Sequence, residues 1–179
     1  GILQPDSIGA YSPDGETYIV TANEGDGRDY DGFSEESEVS QLDLDPKAFD
    51  FDSIEGVNSV EELQQPENLG AKGVTTTLGD TDNDGVYEEI YVFGGRSFSI
   101  VTTDGEMVFD SGSDFEDITA EEYPDQFNND NDESDPDGRS DNKGPEPEGL
   151  TIGRIGDNHY AFIGLERIGG VMVYDITDP

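Results

Sequence analysis

Asp80, Asp82 and Asp84 alternate along the segment GDTDNDGVYEEIYVFGGRSFSI, with Gly85 and Glu88 close behind. That pattern brings carboxylate oxygens together from one short loop. Hard cations such as Ca²⁺ take about six to eight oxygens at distances of about 2.3 to 2.6 Å, and they tolerate irregular geometry. The spacing therefore predicts a Ca²⁺ loop in which Asp80, Asp82 and Asp84 supply side-chain oxygens. Gly85 allows the sharp turn, the Val86 carbonyl points back, and Glu88 stands at the ninth position. The twelfth position is Tyr91 instead of the bidentate Glu of a helix–loop–helix calcium site. Aromatic and β-branched residues follow, so the loop is expected to lead into a strand. The competing reading is a solvated acidic turn in an acidic protein.

Two further groups of acids are candidates. Asp130, Asp132, Asp135 and Asp137 recur within a polar stretch and form a possible second cation site. Glu146 and Glu148 flank Pro147, which keeps the backbone extended, and Glu166 closes a later apolar run. These three glutamates are expected to converge as a central metal site, with Arg96 and Arg167 as charge partners. Carboxylates crowded together repel unless a cation or an arginine neutralises them. Ion pairs closing a solvated rim are the alternative. No nucleophile and no catalytic set emerges: Ser97 and Ser99 have no histidine near them in sequence, and His159 is the only histidine. Its place in GDNHY reads as an exposed turn. With no cysteine and one histidine, zinc has no ligand set.

Strands must carry these groups. YIVTANE, IYVFGGR and YAFIGLE echo one another, each a run of strand formers ending on a charged residue, Glu24, Arg96 and Glu166. Asp14-Gly15 and Asp104-Gly105 read as hairpin turns. Ser59 to Glu62 and Thr119 to Glu122 read as capping boxes that open short helices, ended near Pro66 and Pro124. Residues 125–143 have a composition typical of a disordered linker. The expected fold is all-β: a partial β-propeller over residues 1–179, with about three blade cores and polar insertions at 27–75 and 112–144. About three blades cannot close a ring that typically needs four to eight, so further blades of a parent protein, or another chain, are expected partners.

Composition sets the environment. Forty-four acidic against eight basic residues give a net charge of −36, well beyond what solubility requires. Self-repulsion of that size is relieved by salt, which suggests a halophilic or salt-adapted source. Nucleic acid is excluded as a partner for want of a basic patch. No apolar run is long enough to span a bilayer. Gly1–Ser7 has neither the charged nor the apolar part of a secretory signal, so a processed protein or a piece of a longer one is expected.

GDTDNDGVYEEIYVFGGRSFSI, FDSGSDFE, GPEPEG and YAFIGLERIGGVMVYDITDP together resemble the choice-of-anchor I domain family, which includes the mesenchyme-specific cell surface glycoproteins. The resemblance runs from YIVTANEGD to DITDP. It implies a secreted or surface-anchored β-propeller, in a family loosely described as alkaline phosphatase-like. The Asp80–Glu88 loop also resembles the calcium hairpin of FG-GAP propeller blades. Glu148-Gly149 and Glu166 show a narrower similarity to β-propeller phytases, which implies calcium binding at those positions. The expected function is a calcium-binding extracellular or cell-surface module with a structural, adhesive or mineral-binding role. The alternative is a calcium-dependent phosphoesterase.

Overall fold

The structure is a computed structural model that describes residues 1–132 and 135–179. The polar insertion expected at 112–144 thus includes two positions, 133 and 134, outside the described residues. The chain forms two compact units, one of Leu3–Asp26 with Gly94–Pro179 and the other of Gly1–Ile2 with Gly27–Phe93.

Along the chain, β1 (Ser7–Tyr11) and β2 (Tyr18–Ala22) open the first unit. They pair antiparallel across a turn in which Gly15 has φ +86°, a conformation open to glycine, so the Asp14-Gly15 hairpin is where the sequence places it. The second unit follows, with β3 (Asp29–Tyr30), β4 (Phe33–Ser34), β5 (Glu36–Glu38), helix α1 (Val60–Leu63) and β6 (Gly73–Thr75). The chain then returns through β7 (Phe98–Thr102), β8 (Met107–Asp110), helix α2 (Asp114–Glu122), β9 (Pro147–Ile155), β10 (Asn158–Leu165) and β11 (Val171–Asp175).

The first unit holds a four-stranded antiparallel sheet in the order β1-β2-β7-β8 and a three-stranded one in the order β11-β10-β9. Strand formers with alternating burial feed one core, in which Val20, Ala22, Phe98, Ile100, Phe115, Ala161 and Ile163 are all at most 2% exposed. Phe98 anchors it, with its ring 4.6 Å from Tyr174 and 5.4 Å from Phe109. A side chain at Gly9 would meet Ile152 and Leu150 at 2.9 Å, so a residue without one lets β1 approach β9. The all-β reading thus stands. Among the described residues the sheets are open, with edges at β1, β8, β9 and β11, and no closed propeller is seen.

Three sequence expectations about elements are corrected. IYVFGGR is not a strand. Val92 and Phe93 make only isolated bridges, and Gly94 (φ +75°) and Arg96 (φ +56°) turn the chain before β7 begins at Phe98. Thr119 does not cap a helix, because it lies inside α2, where its hydroxyl donates to the Phe115 carbonyl at 2.7 Å. His159 belongs to β10, opposite Arg154, half-buried with its ring 5.6 Å from that of Tyr11. The Ser59 cap is present: its Oγ accepts the Glu62 N–H at 3.2 Å, while the Glu62 carboxylate reaches back to the Asn58 N–H at 2.7 Å.

The second unit packs Val39, Leu63 and Val74 around α1 and the β5–β6 pair. Its polar anchor is Glu35, 2% exposed, which accepts Nε and Nη2 of Arg28, each at 2.9 Å, and the Thr75 and Thr77 hydroxyls at 2.8 and 3.0 Å. The hydrogen bond from Arg28 outweighs the cost of burial and holds the Glu35 carboxyl well below the usual carboxylate range. A depressed folded-state value contributes stability that is full above the unfolded value of about 4.3 and is lost as pH falls through the folded one. Glu35→Gln is therefore expected to destabilise this unit at neutral pH and to flatten its acid limb. Denaturant melts at pH 7 and pH 3 measure this, and an unchanged pH dependence would refute the assignment.

Candidate metal centre

Asp80, Asp82 and Glu88 in the second unit each offer a carboxylate oxygen, and all three lie within 4.8 Å of one another. The backbone shapes the loop: Asn83 (φ +62°) and Gly85 (φ +93°) sit in the left-handed region, and Asp80 accepts the N–H groups of Asp84 and Gly85 at 3.1 and 2.9 Å. Glu88 is steadied by Thr81, whose N–H and hydroxyl donate to Oε2 at 2.8 and 2.7 Å. Asp84 is turned aside, accepting the Val86 N–H at 2.9 Å. The charge of Asp84, then local desolvation and the charge of Glu88, raise the exposed Asp82 carboxyl above its ordinary value. Crowded negative charge of this kind is what a cation relieves.

The first unit contains a second convergence. Glu24 follows β2, Glu146 precedes β9 and Glu166 follows β10, and one oxygen of each lies within 4.8 Å of the others. Glu146 is fully buried at φ +49°, between the buried Pro145 and Pro147. An L-residue held there costs about 1–3 kcal/mol unless its surroundings enforce it. Three cations face it: Arg139 donates to Oε1, Arg167 Nε approaches Oε2 at 3.0 Å, and Lys143 Nζ at 3.4 Å. Burial opposes ionisation of Glu146, but the Arg139 hydrogen bond and the charges of Lys143, Arg139 and Arg167 outweigh it and hold its carboxyl below the ordinary value. Burial raises the carboxyls of both Glu24 and Glu166, offset in Glu24 by Lys143 and reinforced in Glu166 by Glu146.

The backbone of Glu24 is held tightly. Asn23 is fully buried, and its amide donates to Ser97 Oγ at 3.0 Å and Ser99 Oγ at 2.7 Å, while both hydroxyls donate to Asp110. This network accounts for Ser97 and Ser99, which act here as rivets of β2 to β7 and β8. At Gly94 a Cβ would stand 2.3 Å from the Glu24 carbonyl, so only glycine fits beside that strand end.

The structure redistributes the residues expected at the central site. Glu146, Glu166 and Arg167 come together. Glu148 is exposed, because the left-handed turn at Glu146 breaks the two-residue alternation that would have put both glutamates on one face. Arg96 pairs with Glu116 at 2.7 Å and donates to the Ser140 and Asn142 carbonyls at 2.6 and 2.8 Å, so it braces the segment that carries Lys143. Asp130, Asp132, Asp135 and Asp137 do not converge as a set. Asp130 lies 3.7 Å from Arg139 and caps the Asp132 N–H, while Asp137 accepts Ser140 Oγ. Sequence reasoning missed Glu24, Arg139 and Lys143 as site residues. The echo of YIVTANE with YAFIGLE marked Glu24, whereas the two cations stand in a stretch whose composition suggested a linker.

A family profile for the choice-of-anchor I domain matches residues 1–179. The chain belongs to the choice-of-anchor I domain family. Among curated relatives, Gigasin-3a of Magallana gigas is 36% identical over 121 residues, covering 64% of this chain and 42% of the relative. The mesenchyme-specific cell surface glycoprotein of Strongylocentrotus purpuratus is 28% identical over 208 residues, covering 97% of this chain and 26% of the relative. The chain thus spans less than half the length of either. No solved structure matches. The second of these relatives is, by its name, a cell-surface glycoprotein. Among the described residues no helix is long and apolar enough to cross a membrane.

Proposed function

We propose that this domain is a calcium-binding module of a secreted or cell-surface protein from a salt-adapted source, with a structural, adhesive or mineral-binding role. The observation that carries the reading is the convergence of Asp80, Asp82 and Glu88 in a loop whose backbone is already shaped and whose Asp82 carboxyl is strained by like charge. Ca²⁺ there would take those three carboxylates and complete its shell with water and backbone oxygens. The net charge of −36 supports the salt-adapted part of the reading. The sequential four-stranded antiparallel sheet β1-β2-β7-β8 has the build of a propeller blade, so we assign it as one blade of a ring completed by the rest of the parent protein.

Phosphoester hydrolysis is the weaker reading. A phosphate needs free arginines or lysines beside the metal. Arg28, Arg96, Arg139, Arg154, Arg167 and Lys143 are each paired with a carboxylate, so binding a phosphate at any of these six would break an existing ion pair. Turnover of a generic phosphate monoester or of phytate with calcium is expected to be negligible.

The calcium reading is tested by isothermal titration in about 1 M salt, where diffuse attraction is screened. Asp80→Asn with Asp82→Asn is expected to remove one binding event and leave the fold intact, since both side chains sit on an exposed loop. A calorimetric trace that the double substitution leaves unaltered would sink the assignment.

A further inference from the structure

Between the last turn of α2 and the β10–β11 turn lies a cavity of about 330 Å³, with Thr119, Tyr123 and Gln126 on one side and Leu165, Ile168 and Met172 on the other. Small-molecule sites span about 300–1,000 Å³, so this one suits a compact ligand. Its two polar side chains are already committed. The Thr119 hydroxyl donates to the Phe115 carbonyl at 2.7 Å, and the Gln126 amide donates to the Asp125 carbonyl and accepts from Asn129, each at 2.9 Å. A sugar or a peptide, which must replace its hydrogen bonds to water, would leave polar groups unpaired here. Among the described residues no carboxylate lines the cavity, so a hard metal ion finds no oxygen shell. The electrostatics nevertheless favour positive charge. The C-terminal end of a helix carries about half a negative elementary charge, and α2 has no basic residue in its last turn. Pro124 has no N–H to offer the Ala120 carbonyl. Glu121, Glu122 and Asp125 flank Tyr123 along the chain and are exposed. Arg167, the basic residue next to Ile168, is turned to Glu146 and Glu166.

We propose that this cavity binds a small quaternary ammonium ion of the choline class, independently of the calcium loop. Such an ion carries a positive charge under a coat of methyl groups, so it needs neither a metal-type oxygen shell nor a hydrogen-bond acceptor. Both of its properties are met. Leu165, Ile168 and Met172 offer apolar surface to the methyl groups. Tyr123, 63% exposed, offers the face of an aromatic ring, which attracts a cation held within about 6 Å of its centre. The acidic residues beside Tyr123 and the negative end of α2 add long-range attraction. A free cation is favoured over a phosphocholine group, because the phosphate would be set beside Glu121 and Glu122, where like charge repels it.

The chain has two methionines, Met172 in the cavity and Met107 on β8 outside it, and they make an internal comparison. With both methyl groups isotope-labelled, the full chain is titrated with choline chloride and followed by NMR in about 1 M salt, where diffuse attraction to the acidic surface is screened. The Met172 signal is expected to move saturably in the millimolar range while Met107 stays in place. Neohexyl alcohol, the uncharged carbon isostere of choline, and phosphocholine should each bind about fivefold or more weakly. Tyr123→Leu should weaken choline binding by about fivefold, whereas Tyr123→Phe, which keeps the ring, should change it by less than about twofold. Tyr123 is largely exposed, so both variants are expected to fold. A Met172 signal that does not move, or movement of both methionines in simple proportion to choline, would overturn the proposal, the latter by showing diffuse counter-ion attraction. Equal binding of neohexyl alcohol would reduce the site to an unselective apolar cleft and overturn it too, as would a Tyr123→Leu variant that binds choline unchanged. Phosphocholine binding as tightly as choline would overturn the preference for a free cation.

Discussion

Glu146→Gln is expected to lower the stability of its unit by about 3–5 kcal/mol, the range for breaking a buried ion pair by removing one partner. The side chain is fully buried, so the amide cannot turn to water, and Arg139, Arg167 and Lys143 lose the charge they share. Each cation keeps a secondary partner: Asp130 for Arg139, Glu166 for Arg167, and Glu24 and Asp26 for Lys143. The loss therefore belongs at the lower end of that range. Glu148→Gln, two residues on but exposed, should change stability by less than about 0.5 kcal/mol. Urea denaturation of the two variants side by side is the measurement. Equal midpoints would mean that Glu146 is not the anchor of the cluster.

That contrast shows what the sequence could and could not reveal. A Glu-Pro-Glu word with two-residue spacing suggested that both glutamates point the same way, which holds only if the backbone stays extended through both. Glu146 at φ +49° violates the condition, and no local residue type announces it. Strand ends were legible because β-branched and aromatic runs stop at charged residues, and Glu24 and Glu166 are found at such ends. Long-range assembly was not legible. Arg139 and Lys143 lie in a stretch with no apolar periodicity, and their order comes from Arg96, Asn128 and Glu116, which bond across the intervening chain. The capping box at Ser59 succeeded because its chemistry is local. The one at Thr119 failed because Ser113 and the acidic first turn of α2, Asp114, Glu116 and Asp117, start the helix earlier.

Melting temperature is expected to rise steeply between dilute chelating buffer and molar salt with calcium, and the two causes are separable. Spread over a surface of 10009 Å², the 44 acidic residues lie roughly 15 Å apart. At about 0.01 M salt the Debye length of about 30 Å exceeds that spacing, so each carboxylate repels several neighbours. At about 1 M it falls to about 3 Å, and repulsion between neighbours is switched off. Sodium chloride with chelator should therefore raise the melting temperature without saturating at any stoichiometric ratio. Calcium at fixed ionic strength acts differently. Each site binding only the folded state adds about 2.7 kcal/mol at a hundredfold excess over its dissociation constant. For a chain of this length that corresponds to roughly 5–10 °C per site. Asp80→Asn with Asp82→Asn should cancel the calcium increment and leave the salt increment in place. A melting curve identical in dilute chelating buffer, in molar salt and in calcium would show that neither charge repulsion nor cation binding governs the stability of this domain.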